Sequence, residues 1–233
     1  NEEKRRFILT LFTLCNDVKR RGTKIIGEPT EKALAEAAEE GGVSLKGLWE
    51  EMPRIGEVPF SSERKLMTTV HLSGKKWISV TKGAPDLLFE KCTHCLDGGR
   101  QVVFDGRRKS EARLKNGEMA ANALRVVAVA FREWDEEPHP FTAETLEKDL
   151  VLAGMAGMID PPRPEARQAV ETCQKAGIRP VMITGDHALT AQAIATQLGI
   201  YHPGERVLTG QELMQMEEKE LEQAVQDCTV FAR

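Results

Sequence analysis

The residues of this chain best suited to chemistry are Thr184-Gly185-Asp186, which follow Val181-Met182-Ile183 and precede the helical spacing of Ala188 to Leu198. Three apolar residues read as a short buried strand, and the hydroxyl, glycine and acid read as the turn leaving it. Such a turn aims unpaired N–H groups in one direction at the positive end of a helix dipole, so it can hold a phosphoryl group. The same residues also make a plain strand-to-helix turn, with glycine serving the geometry and Asp186 the cap. Two cations raise a second possibility. Lys82 shares a strand face with Ile78 and Val80, and Arg125 shares one with Val127, Val129 and Phe131. Burying a cation without a partner is costly. Either these side chains snorkel to water, or they close the floor of an anion or nucleotide pocket. With Phe60 they could form a stacking slot with phosphate contacts beyond it. Glu31 either complements the start of a helix or aims its carboxylate at a donor such as an exocyclic amine. Cys92 and Cys95 form a C-x-x-C without a second pair, which leaves a zinc site short of ligands and reads as incidental thiols.

The elements that would carry these residues fall into two textures. Glu2 to Val18 places Phe7, Leu11, Leu14 and Val18 on one helical face, with a basic end at Lys19-Arg20-Arg21. Pro29 and Glu31 start a second helix, which Gly41-Gly42 stop. From Arg54 the pattern becomes strands: Glu57 to Phe60 is extended, and Leu66, Val70 and Leu72 alternate with Lys65, Met67 and His71. Trp77 to Lys82 is a further strand, and the whole predicts an antiparallel meander. Asp97-Gly98-Gly99 and Asp105-Gly106 are turn signals, and Ser110 to Asn122 is helical with Ser110 as its cap. Strands follow at Leu124 to Arg132 and Val151 to Ile159. Past Asp160-Pro-Pro-Arg-Pro164, a stiff hinge, helices alternate with short apolar strands. These are the helix Glu165 to Lys175 with Ala166, Ala169, Val170 and Cys173 inward, the strand Ile178 to Ile183, the helix Ala188 to Leu198, the start at Val207-Leu208, the helix Glu217 to Gln226 and the strand Thr229 to Phe231. That alternation implies a parallel sheet, whose ligands bind at the carboxyl ends of strands, where Thr184 and Arg233 both sit.

The 233 residues suffice for one large or two modest domains, and the net charge of −4 gives no reason to expect nucleic acid. The longest uncharged apolar run, Val151 to Ile159, is far short of the ~20 residues that span a bilayer. No signal peptide is visible, and the absence of an initiator methionine suggests an excised piece, which processing would also explain. Five cysteines, an odd number in a chain of this size, favour a reduced compartment.

In order, the chain carries G-E-P-T-E at Gly27, P-F-S-S-E-R-K at Pro59, T-K-G-A-P-D at Thr81, L-R-V-V-A-V-A at Leu124, M-I-D-P-P-R at Met158, M-I-T-G-D-H at Met182 and V-F-A-R at Val230. With these it resembles, essentially end to end, the cytoplasmic nucleotide-binding domain and part of the phosphorylation domain of a P-type cation-transporting ATPase of the calcium or sodium/potassium pump group. The resemblance implies an α/β fold. Residues 1–158 would be an antiparallel sheet with flanking helices that binds ATP, 159–164 a hinge, and 165–233 a partial Rossmann-like segment of haloacid dehalogenase type.

It also implies roles. Phe60 resembles the adenine-stacking aromatic, Lys82 with Gly83 the adenine pocket, Glu31 the acid facing the adenine amino group, and Arg125 the arginine reaching the phosphates. Asp160 and Arg163 resemble hinge residues near the ribose, with Arg233 coming from the other side, and Thr184, Gly185 and Asp186 the loop holding the transferred phosphoryl group. The family's D-K-T-G-T aspartate and its magnesium-binding G-D-G-x-N-D segment do not occur in this sequence, nor does the lysine after V-F-A-R. Ser62 stands where some relatives carry arginine, and Asp86 where glutamate is common.

The expectation is therefore a chain that binds ATP weakly without turnover and holds no metal itself. In the intact pump, at the cytoplasmic face of a membrane, it would act with Mg2+ and with actuator and transmembrane domains. A sheet lacking its first strand would leave an edge for self-association. A haloacid dehalogenase-type phosphatase, whose D-x-D is not found in the sequence, and a non-catalytic nucleotide-sensing module are the rival readings.

Overall fold

The computed structural model describes residues 2–22, 24–122, 124–158, 163–186 and 188–232. These divide into two compact units, residues 1–116 with 126–158 and residues 117–125 with 159–233.

The first unit opens with helix α1 (Glu2–Leu14), followed by the hairpin β1 (Lys19–Arg21) and β2 (Lys24–Ile26), then α2 (Pro29–Glu40) and α3 (Leu45–Glu51). The strands β3 (Arg54–Val58), β4 (Leu66–Ser73) and β5 (Lys76–Gly83) come next, then α4 (Pro85–Lys91) with β6 (Cys92–Asp97) and β7 (Arg100–Val103). The helix α5 (Gly106–Ala121), which runs on past residue 116, precedes β8 (Arg125–Trp134), α6 (Ala143–Leu146) and β9 (Leu150–Met158).

Seven of these strands form one sheet in the order β3-β4-β5-β8-β9-β6-β7. Strands β3, β4, β5 and β8 pair antiparallel with one another in that order, as the meander predicts. The sheet is not wholly antiparallel, however, because β6 runs parallel to β9. Parallel neighbours need a long crossover, and here α5, β8 and α6 intervene in sequence between them.

Helices cover both faces, which changes the expected strand pattern. Met67, Val80, Val129 and Phe131 pack with Leu11, Phe12 and Leu14 of α1 and Leu34 of α2. On the opposite face Leu66, Ala128, Ala130, Leu150 and Leu152 pack with Leu88 and Phe89 of α4. Every residue from Leu66 to His71 is therefore buried, and the predicted alternation of apolar and polar positions marks two covered faces rather than a core and a solvent side.

Helix boundaries move where side chains compete for the backbone. α1 ends at Leu14 rather than Val18, because the Asn16 side chain accepts the Val18 N–H at 2.9 Å in a local turn. Val18 is still buried, and Lys19 to Arg21 form a hairpin strand, not a helix end. α5 starts at Gly106 rather than Ser110, since the Asp105 carboxylate accepts the Arg108 N–H at 2.9 Å. Asp105-Gly106 is thus a helix start, and the Ser110 hydroxyl donates back to the Gly106 carbonyl.

The second unit contains α7 (Pro164–Lys175), β10 (Met182–Ile183), α8 (Ala188–Leu198), β11 (Val207–Thr209), α9 (Gly210–Gln215), α10 (Glu218–Asp227) and β12 (Val230–Ala232). Its three strands are parallel in the order β10-β12-β11, as the alternating pattern implies. Ala191, Ala195, Leu198, Ile200, Tyr201, Val230 and Ala232 form the core, against which Ala166 and Val170 pack. Ala169 is exposed instead of inward. The strand expected over Ile178 to Ile183 shrinks to two residues. The Ile178 N–H is used by the Cys173 carbonyl at the end of α7, where Gly177 has φ +76°, and Pro180 has no N–H to donate. Among the described residues no helix is long and apolar enough to cross a membrane.

Candidate functional site

Lys82 lies near the end of β5 with its neighbours Met67 and Val129 on either side, on the face covered by α1 and α2. Glu31 stands in the first turn of α2. The two side chains form an ion pair, Lys82 Nζ donating to Glu31 Oε1, with only 9% and 14% of their surfaces exposed. This answers both sequence-level puzzles at once: the cation on an apolar face neither snorkels nor stands alone, and the acid does more than complement a helix end. Glu31 is itself held by the segment that follows α1. Its Oε2 accepts the Asp17 N–H at 3.3 Å, and its backbone carbonyl accepts from the Asn16 side chain at 3.0 Å. The Asn16 turn that ends α1 therefore also seats the start of α2.

Gly83 follows Lys82, and its identity has a steric cause. A Cβ there would lie 2.1 Å from the Lys65 carbonyl oxygen and 2.8 Å from Leu66 Cδ2. The same carbonyl accepts the Ala84 N–H at 3.1 Å, so the two backbones cannot separate without losing that bond.

Phe60 sits in the connection 59–65 between β3 and β4 and is 61% exposed. An aromatic ring this open beside a proline is available for stacking. Its stem is fixed by Arg64, a residue with no role in the sequence-level reading. The Arg64 guanidinium donates to the Pro59 carbonyl at 2.6 Å and pairs with Glu147, whose side chain is 2% exposed. Glu147 in turn accepts from the Thr68 hydroxyl at 3.1 Å, and Thr68 bonds Thr81 at 3.0 Å. No signal in the sequence distinguishes Glu147 from the surface acids around it, because its burial arises from α6 folding against a strand dozens of residues earlier.

Arg125 is exposed at the first position of β8, three residues before Ala128, the partner of Gly83. It does not share the burial of Lys82, so of the two readings open for these cations the solvent-reaching one fits Arg125. Direct contact joins Glu31 to Lys82, and Phe60 and Arg125 take up exposed positions at other points of the fold.

On β4, His71 is buried with Nδ1 donating to the Met52 carbonyl at 3.0 Å and Nε2 hydrogen-bonded with the Thr69 hydroxyl at 2.9 Å. Burial foremost lowers its pKa to about 4, with the nearby Arg54 charge adding to the effect and the Met52 carbonyl opposing it.

In the second unit, Thr184 follows β10, and its N–H donates to the Phe231 carbonyl of β12 at 3.0 Å. Its hydroxyl accepts the Asp186 N–H and donates to the Asp186 carboxylate, both at 3.1 Å. The turn is thereby tied shut on itself. A Cβ at Gly185 would meet nothing within 4 Å, so the space above the turn is open. Arg163 is exposed and precedes α7. Asp160 and Arg233 lie outside the described residues. Among the described residues no group of three or more His, Cys, Asp or Glu side chains gathers as a metal site would need. Cys92 is buried and donates its thiol to the Leu88 carbonyl, and burial pushes its pKa up to about 12.

Comparison with known proteins places these features in a family context. A family model described as P-type ATPase, cytoplasmic domain N, matches residues 6–165. The chain is 41% identical over 239 residues to a calcium-transporting ATPase of Bacillus subtilis, covering 100% of this chain and 27% of that protein. It is 39% identical over 230 residues to calcium-transporting ATPase 1 of Lactococcus lactis, covering 98% and 26%. A cation-transporting ATPase of Synechocystis is 40% identical over 226 residues, covering 94% and 24%. The chain thus spans about a quarter of the length of these curated relatives.

Proposed function

The chain belongs to the P-type ATPase family, and on that premise we propose that its first unit binds ATP at Phe60, Lys82 and Glu31. The observation that carries this reading is the buried Lys82–Glu31 pair. Among the sheet's apolar side chains it sets a fixed donor beside a carboxylate, and a carboxylate with about four lone-pair sites keeps acceptor capacity for an exocyclic amine. Phe60 supplies the exposed face on which the base stacks. Gly83 lets β5 end against the Lys65 carbonyl, which keeps Lys82 in register with Met67. Arg125, at the start of β8 and grouped with the second unit, carries the phosphate role that its motif implies.

The wider reading concerns the longer protein. There this chain serves a cation-transporting ATPase on the cytoplasmic face of a membrane, and the relatives' names favour calcium as the ion. ATP bound by residues 1–158 passes its γ-phosphoryl group to an aspartate outside this chain, as residues 159–164 bend. Thr184, Gly185 and Asp186 hold the phosphoryl group, a role supported by the open space over Gly185 and by the helix start that follows. Asp160 and Arg163, within residues 159–164, and Arg233 carry the ribose-side roles that their motifs imply. Mg2+ would neutralise phosphate charge during the transfer. Among the described residues no three His, Cys, Asp or Glu side chains gather to hold it.

Titrating ATP while following tryptophan fluorescence tests the binding claim. A saturable change that weakens in Phe60→Ala and Lys82→Ala supports it; no saturable change, or one indifferent to both substitutions, refutes it. Turnover by the isolated chain is expected to be negligible, and robust hydrolysis would contradict the assignment of the nucleophile to another segment.

A further inference from the structure

We infer that Arg64 and Glu147 are positioning residues that set the place of Phe60 for the nucleotide base; the inference rests on the ATP-binding reading above. Phe60 is 61% exposed and packs too little of its surface to fix its own position. What holds it is its backbone, and the Arg64 side chain ties that backbone to the sheet. Arg64 donates with one arm of its fork to the carbonyl of Pro59, the residue directly before Phe60, and with the other to Glu147. Two further bonds close the same connection: the Arg64 N–H to the Ser61 hydroxyl at 3.3 Å and the Lys65 N–H to the Ser61 carbonyl at 2.6 Å.

The far end of the clamp is rigid for a different reason. Glu147 is buried at the end of α6, and its carboxylate is shared with Thr68 on β4. Thr68 lies directly opposite Thr81 on β5, and their hydroxyls bond across the strands. Thr81 precedes Lys82. A continuous path of polar contacts therefore runs from the stem of Phe60, through Arg64, Glu147, Thr68 and Thr81, to the strand that carries Lys82. It lies on the sheet face opposite the Lys82 side chain, so it references the aromatic to the lysine's strand without occupying the base's own space. A planar guanidinium suits the task, because one rigid fork must serve a carboxylate and a carbonyl together.

The test is a double-mutant cycle on the 233-residue chain with two probes, ATP and inorganic tripolyphosphate, which has no base to stack. Arg64→Lys keeps the charge beside Glu147 but loses the fork. It is expected to weaken ATP about five-fold, a fraction of the loss on removing a stacking aromatic, and to leave tripolyphosphate unchanged. In a Phe60→Ala background the same substitution is expected to cost ATP binding nothing further. Glu147→Gln, which keeps the shape and one acceptor, should follow Arg64→Lys in sign, and thermal melts of each variant show that the fold persists. Multiplying effects of Arg64→Lys and Phe60→Ala, equal losses for both probes, or unchanged ATP affinity in Arg64→Lys would overturn the positioning role while leaving ATP binding intact. Absence of ATP binding by the unaltered chain would remove the underlying reading and this role with it.

Discussion

Removing Glu31 should destabilise the first unit more than removing Lys82, although the two form one ion pair. Breaking a buried pair from one side costs about 3–5 kcal/mol when the surviving charge has no other partner. The survivors differ here. Without Lys82, the Glu31 carboxylate keeps the Asp17 N–H at 3.3 Å and its place at the positive end of α2, which brings the cost of Lys82→Met down to about 2 kcal/mol. Without Glu31, the Lys82 ammonium is left between Met67 and Val129 on a covered sheet face, and Glu31→Ala should cost about 4 kcal/mol. For a unit of this size that is a fall in Tm of roughly 10 °C. The double variant carries no stranded charge and should be more stable than Glu31→Ala alone by about 1–2 kcal/mol. All three tryptophans, Trp49, Trp77 and Trp134, lie in the first unit, so urea titration by intrinsic fluorescence reports its unfolding selectively. If Lys82→Met proves as damaging as Glu31→Ala, or if the two losses simply add, the ion pair does not carry the energetics assigned to it.

Other outcomes follow from the same geometry. Phe60→Ala should leave the urea midpoint within about 0.5 kcal/mol of the parent, because the ring is exposed, while weakening ATP by about ten-fold; isothermal titration beside the urea curve checks both. Gly83→Ala should destabilise by about 2–3 kcal/mol, since its Cβ meets a backbone oxygen that cannot move aside, whereas Gly185→Ala should be silent in the same melt. His71 gives a pH signature. Its folded pKa of about 4 lies below the ordinary value of 6.5, so the unfolded chain binds the proton first as pH falls. Stability is full above pH 6.5 and declines toward pH 4, by about 3 kcal/mol in total from this group. Urea midpoints measured from pH 7.5 to 4.5 should fall less steeply in His71→Gln.

The parts of this fold legible in the sequence are those governed by local chemistry. Pro29, Pro85 and Gly41 mark helix ends where the structure has them, and Leu66 to Lys82 read as strands with the observed turn between them. Misreadings arose where a side chain took over a backbone group, as Asn16 and Asp105 do, or where a distant element covered a face. The second kind explains the site. That Lys82 lies on an apolar face is visible from residue spacing, but its partner is a helix-start acid 51 residues away. The parallel pairing of β6 with β9 and the burial of Glu147 were likewise invisible, because each depends on which strands become neighbours rather than on any short pattern.

The two buried ion pairs of the first unit close long loops: 51 residues separate Glu31 from Lys82, and 83 separate Arg64 from Glu147. Contacts of that span carry a loop-closure cost that local contacts do not, so both pairs depend on the central strands having met. Any binding through these residues would then be a property of the whole first unit. A ligand recognised by these residues would select the finished fold from every earlier species. At a concentration of 100 times its Kd it would add about 2.7 kcal/mol to the stability of that unit. Cellular ligand supply would in this way decide how long the newly made domain survives quality control.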